Sequence, residues 1–312
     1  VVEEEDGGDR TGQDGAMIWN DKFETSWTTQ FKALLHRAWI VKQSETLDHL
    51  NFYMFMITAV AMGLVWFQSG TQEENIRDRF GLVFFVAIFW SFFTMSMAAA
   101  AFGGERAVLI KERAQGSYRL SAYYLAKQVA EMPLNWLNPS LFVIIVYWMA
   151  DMNPNVGSFF AYWALVILGV ELSVSIGLFV SAAETSLKRA MVWLTVIILG
   201  SVLFAGYFIH IDNIPVWIRW MQWISFFKYL LGSQSTAIFA DNLRFECAES
   251  DSAYSVCNNG GSEIPGPHVL TNRGIQDIGL VYVLVALFAT IALRVATYFT
   301  LFYRYKPKSP TF

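Results

Sequence analysis

Charge is scarce in this chain. Asp, Glu, Lys and Arg supply only 15% of its 312 residues, against about 25% in an ordinary soluble domain. Nor do bases outnumber acids: the formal net charge is −4, which leaves no cationic surface for nucleic acid. Histidine is nearly absent, and His36, His49, His210 and His268 fall in interfaces and loops. No His, Asp, Glu or Cys cluster with ligand spacing lies in the apolar runs, which argues against a metal centre and against an enzyme embedded in a membrane. The phosphate cradle Gly-x-x-x-x-Gly-Lys-Ser/Thr does not occur, so no nucleotide site is expected within these residues. A basic stretch, short apolar core and cleavage site are also missing, so no signal peptide is expected within these residues. No Asn-x-Ser/Thr acceptor exists, since Asn138 is followed by Pro139.

What fills the space is apolar. Hydrophobic residues make up 55% and aromatics 16%, and they gather into long uncharged blocks of the kind that cross membranes. Six segments are expected to span, near 50–68, 80–102, 132–150, 156–183, 190–209 and 278–303. Continuous runs point to helices, because a spanning helix satisfies its own backbone, whereas a barrel would alternate along short strands. The fold class is therefore an all-α membrane protein. Fifteen bases fall on the side shared by both ends and six on the other, which places both termini in the cytoplasm. Cys247 and Cys257, the two cysteines, then lie in the long outer loop 210–277. An oxidising compartment there would let them pair, the alternative being two free thiols.

Residues 1–16, "VVEEEDGGDRTGQDGA", are acidic and Gly-rich and read as a flexible linker from an upstream domain. Within 17–49, Trp27, Phe31, Leu34, Leu35 and Ala38 share one helical face. That pattern fits a helix in the inner membrane interface, or equally one packed on a soluble partner. The six-span domain occupies 50–306, and 307–312 form a cytoplasmic tail. After the fifth span, Asn213 and Pro215 open a segment with Trp217, Trp220 and Trp223, too polar and interrupted to span. It is expected to dip into the outer leaflet and return. Between spans two and three, eight charges crowd into residues 105–131. Gly103-Gly104 is expected to end the second span, and Gly116-Ser117 to end a short charged helix at 105–115.

Two charges sit inside spans. Glu171 is costly in mid-membrane unless partnered, so a functional role competes with a structural partner on another helix. Ser173 and Ser175, close by in sequence, are not expected to serve. Arg294 lies near the inner end and is expected to snorkel out.

The stretch "GGERAVLIKERAQGSYRLSAYYLAKQVAEMP" resembles the signature between spans two and three of the G subfamily of ABC transporters, with wording like that of the White-type half-transporters and their plant and algal branch. "FAGYFIHIDNIPVWIRWMQWISFFKYLLGSQ" is similar to that family's fifth span and re-entrant outer segment. The likeness covers residues 17–306. It implies a nucleotide-binding domain upstream in the same chain, with ATP and Mg²⁺ bound there. The present residues hold no Leu-Ser-Gly-Gly-Gln motif and imply no enzyme or cofactor of their own. The resemblance also implies a dimer with a second half-transporter, identical or not, working as an ATP-hydrolysing translocase in the lipid bilayer. Its cargo would be hydrophobic or lipid-like (a sterol, lipid, wax or xenobiotic), exported across the plasma membrane.

Residue roles follow by resemblance alone. Glu105, Arg106, Lys111, Glu112 and Arg113 match the helix on which the nucleotide domains push. Phe92 matches a substrate-clamping phenylalanine, while Thr195, Leu199 and Val202 match cavity residues. Tyr207-Phe208 matches an outward gate, where relatives often carry two leucines. Two other classes stay open. An ion-coupled secondary transporter would favour internal repeats and midplane charges. A channel would favour a polar pore ring.

Overall fold

The structure, a computed structural model, describes residues 25–46, 49–209, 214–240, 242–248, 252–258, 260–275 and 279–305. The linker at 1–16, the tail at 307–312, His210 and the helix start at Asn213 lie outside the described residues. In chain order the elements are α1 (Trp27–Thr46), α2 (His49–Val65), α3 (Glu73–Ala114), α4 (Leu120–Met149), α5 (Val156–Ala183), α6 (Leu187–Leu203), α7 (Met221–Ile224) and α8 (Phe226–Ile238). There follow β1 (Arg244–Glu246), α9 (Ser255–Asn258), β2 (Glu263–Pro265), α10 (Gly266–Asn272) and α11 (Gly279–Arg304). The described residues are thus mostly helical, with one antiparallel pair among them, β1 on β2, in register Arg244 to Pro265.

Among the described residues four helices, α3, α4, α5 and α11, are long and apolar enough to cross a membrane. Taking α1 and α2, bent by 59°, as one broken span makes five. Both α2 and α6 have 17 residues and reach about 26 Å, a little short of a hydrocarbon core of about 30 Å. The segment expected at 190–209 stops being helical at Leu203, and Gly206 then turns at φ 85°.

The most apolar stretch becomes the innermost helix. Helix α5 buries Tyr162, Val170, Glu171, Ser173, Ser175 and Ser181 against α3, α4, α8 and α11. Its Gly169, Ser173, Gly177 and Ser181 recur every four residues, a ladder of small side chains that lets backbones approach. A Cβ on Gly177 would stand 2.3 Å from the Met95 carbonyl oxygen of α3. Ser181 Oγ donates across the same contact to the Ala99 carbonyl at 3.0 Å.

One expectation is corrected here. Gly103-Gly104 does not end the helix, because α3 runs unbroken for 42 residues through both glycines. Each glycine weakens a helix by about 1 kcal/mol. Burial of Ala99, Phe102, Arg106 and Leu109 on either side outweighs that local cost, as packing commonly does. The charged stretch is therefore the end of that long helix and not a separate element. Gly116 does stop it: at φ 67° it takes the left-handed turn that glycine tolerates. Ser117 N–H then bonds the Glu112 carbonyl at 3.2 Å and Gly116 N–H that of Arg113 at 3.1 Å, a double closure typical of helix ends.

Helix α1 lies along α4. Trp27 stacks on Phe31 at 5.2 Å and donates its indole N–H to Ser121 Oγ at 3.2 Å. Its apolar face thus meets a helix of the same chain. Helix α8, 13 residues long, is buried against α5 and α11 and opens on Ser225, whose Oγ accepts from Lys228 N–H at 3.2 Å.

Candidate functional site

The charged end of the molecule is an interlocked joint. Glu105 accepts from Tyr123 Oη at 3.0 Å and pairs with Lys127. Lys127 reaches Glu131 as well, at 3.3 Å, so one buried ammonium sits between two carboxylates. Arg106 donates to the carbonyls of Thr185 and Ser181. Glu112 accepts from Arg37 of α1 at 2.8 Å and from Tyr118 Oη at 2.6 Å. Burial, then the bond to Glu112, pushes the Tyr118 hydroxyl far above its ordinary value, so it stays a donor at any physiological pH. Arg113 donates to the Leu301 carbonyl of α11 at 2.8 Å.

Four of the five charges assigned to a coupling role are therefore tied within the chain, to α1, α4, α11 and the turn after α5. Lys111 alone of the five stands exposed. Sequence reasoning missed this because the partners lie up to 188 residues away. Only Glu105 with Tyr123 and Lys127, and Glu112 with Tyr118, fall within reach of a local reading.

The expected cavity residues divide. Phe92 on α3 and Leu199 on α6 are 49% and 56% exposed, and Thr195, one helical turn from Leu199, is exposed beside it. Val202 is not on that face: it turns into the core at 5% exposure. The pair Tyr207-Phe208 also splits. Tyr207 stacks flat on Phe84 at 3.8 Å and on Phe80 at 5.7 Å, while Phe208 is exposed.

Glu171 has its partner within the chain. Arg294 of α11 pairs with one carboxylate oxygen, and Trp136 of α4 donates its indole N–H to the other at 2.5 Å. Arg294 also reaches Ser175 Oγ at 3.1 Å, and Ser175 itself donates to the Glu171 carbonyl at 2.7 Å. Two expectations change. Arg294, with a side chain only 16% exposed, does not snorkel, because the carboxylate draws it inward. Ser175, at i+4 from Glu171, belongs to the cluster; that spacing was readable.

At the opposite end Cys247 and Cys257 form a disulfide, with their Cα atoms 5.7 Å apart. Glu73, in the first turn of α3, accepts from Ala248 N–H at 3.0 Å, Ala253 N–H at 2.9 Å and Ser252 Oγ at 2.8 Å. The cysteine loop is thereby fastened to the start of the longest helix. Among the described residues no three His, Cys, Asp or Glu side chains converge as metal ligands.

Comparison with known proteins adds independent findings. The sequence profile of the ABC-2 type transporter family matches residues 29–239. The chain is 36% identical over 220 residues to ABC transporter G family member 21 of Arabidopsis thaliana, covering 69% of this chain and 32% of that protein. It is 28% identical over 302 residues to the ABC transporter ATP-binding protein/permease wht-1 of Caenorhabditis elegans, covering 93% and 45%. Protein white of Ceratitis capitata is 29% identical over 208 residues, covering 66% and 31%. The chain thus spans less than half the length of these curated relatives.

Proposed function

Since the chain belongs to the ABC-2 type transporter family, as a membrane domain of the G-family ABC transporters, we propose that it is the cargo-translocating part of an ATP-driven exporter of lipid-like or hydrophobic small molecules. It works as a dimer by alternating access, with ATP and Mg²⁺ held on nucleotide-binding domains, one of them in the same chain. The name of the wht-1 relative joins an ATP-binding protein and a permease. Six spans, with the short α2 and α6 completing the set, a re-entrant α7–α8 segment and both termini in the cytoplasm at the plasma membrane complete the proposal.

The continuity of α3 carries this reading. Phe92 and Glu112 stand on one unbroken helix, about 30 Å apart along its axis. A push at the charged end therefore displaces Phe92 without a flexible joint between them. Exposed on the protomer, Phe92, Thr195 and Leu199 are available to line a cavity shared with a second protomer, with Phe208 above them as the outward gate. Lys111, the exposed coupling residue, would meet the nucleotide domain, and the tied charges would pass its motion to α1, α4 and α11.

The test is transport by the full-length protein in proteoliposomes. ATP-dependent movement of a fluorescent sterol or phospholipid is expected. Phe92→Ala should raise the concentration of half-maximal transport several-fold while leaving basal ATP hydrolysis near normal. Cargo affinity unchanged in Phe92→Ala would remove Phe92 from the cavity, and transport that continues without ATP would end the proposal.

A further inference from the structure

A half-open cavity of about 510 Å³ lies within the single protomer, between α1, α2, α3, α4 and α5. That size is ordinary for a small-molecule site. None of Phe92, Thr195, Leu199, Val202, Tyr207 or Phe208 lines it, so it is a different place from the proposed transport cavity. Phe55, Trp90, Phe93, Leu134, Val174 and Leu178 form apolar walls. Down one side runs a polar stripe on α4, made of Lys127, Glu131, Asn135 and Asn138, whose spacing keeps them on one helical face.

Two buried polar atoms on its lining residues have no hydrogen-bond partner among the described residues. They are the Trp90 indole N–H, on a residue 3% exposed, and the Asn138 side-chain oxygen, on one 8% exposed. One is a donor and the other an acceptor, and each costs about 1–3 kcal/mol if left unanswered. A carboxylate or phosphate only accepts and would leave Asn138 unmet, while an ammonium only donates and would leave Trp90 unmet. A hydroxyl does both. The charges in its lining favour no ion, because Lys42 and Lys127 stand there with Glu131, and Glu105 pairs with Lys127 from the adjoining pocket. Water would also donate and accept, but filling this space with water would leave the aromatic walls wet.

We infer that this cavity binds an uncharged membrane lipid whose polar group is a single hydroxyl, held by Trp90 and Asn138 with its apolar body against Phe55, Phe93 and Leu134. Asn138 lies eleven residues along α4 from Lys127, about 16 Å deeper. The hydroxyl is therefore anchored well inside the membrane and not at its surface. The bound lipid is a resident ligand, separate from cargo.

The experiment uses the full-length transporter in lipid nanodiscs with two photoactivatable probes, a sterol with a free hydroxyl and hexadecanol, each paired with its O-methyl ether. Crosslinks are read by peptide mapping. Labelling is expected on α4 near Leu134–Pro139, weaker by at least about fivefold for the methyl ethers. Whichever hydroxyl probe labels α4 identifies a ring or a straight-chain source. Asn138→Leu should erase the difference between hydroxyl and ether, and Ala101→Phe, which fills the space, should abolish labelling by both. Should Asn138→Leu fail to fold, the ether comparison on the unmodified protein decides alone. Equal labelling by ether and hydroxyl would overturn the inference. So would labelling confined to α6, meaning cargo only, or no labelling, meaning water only.

Discussion

At the scale of single residues, the chain keeps its two mid-membrane charges by setting them against each other. Breaking a buried pair from one side leaves an uncompensated charge and costs about 3–5 kcal/mol, while replacing both partners by apolar groups is often neutral. Arg294→Met should therefore sharply lower the unfolding temperature of the solubilised protein. Glu171→Leu/Arg294→Met should recover most of the loss; a double variant as unstable as the single one would show that the pair is not the reason. The sequence marked Glu171 as expensive but could not name a partner 123 residues away. Trp136 is hidden for the same reason, lying on another helix. Ser175 was legible from spacing and was passed over. Arg79 shows the limit of such reading: only 2% exposed, it donates to the carbonyls of Ser69, Gly70, Asp151 and Met152. No sequence pattern marks a guanidinium destined for backbone oxygens.

Among elements, the long apolar runs were legible because hydrophobic length alone specifies them, and 156–183 agrees with α5 to the residue. Breaks were harder. A glycine pair reads as a helix end in sequence, yet whether it ends one depends on neighbours that sequence does not display. Two glycines make this measurable with one substitution each. Among the described residues nothing lies within 4 Å of a Cβ added at Gly104, so Gly104→Ala should stabilise by about 0.5–1 kcal/mol through helix propensity. Gly177→Ala drives a methyl into the Met95 carbonyl and should destabilise by about 1–3 kcal/mol. Thermal unfolding of both variants in one detergent gives opposite signs if the α3–α5 contact is as close as described; equal shifts would refute it. The cysteine loop offers a third case. Glu73→Ala removes the acceptor for two of its backbone amides, so Ala248 and Ala253 should exchange hydrogen faster while α3 beyond its first turn is unchanged. Unaltered exchange there would mean the disulfide alone holds the loop.

Across the whole molecule, the charged joint is where helices distant in sequence are tied to one another. Glu112→Arg breaks its contacts with Arg37 and Tyr118, and Glu112→Arg/Arg37→Glu restores the ion pair with reversed signs. The single variant should hydrolyse ATP with reduced transport in the full-length protein, and the double should regain a measurable part. The pair is partly exposed, so its direct stability effect is small, about 0–1 kcal/mol; a large loss of folded protein in the single variant would mean the joint is chiefly structural. Assembly order adds a consequence of the Glu171–Arg294 pair. Chains are made at about 5–20 residues per second, and 123 residues separate the two. Arg294 therefore arrives about 6–25 seconds after Glu171. Trp136, made earlier, is already present to meet the carboxylate, but its cation is not. For that interval the nascent protein carries a membrane charge of a kind worth roughly 2.5–3.5 kcal/mol against insertion. A chain interrupted before its last helix would keep that liability indefinitely, and so would present to the cell's membrane surveillance a visible sign that synthesis was never finished.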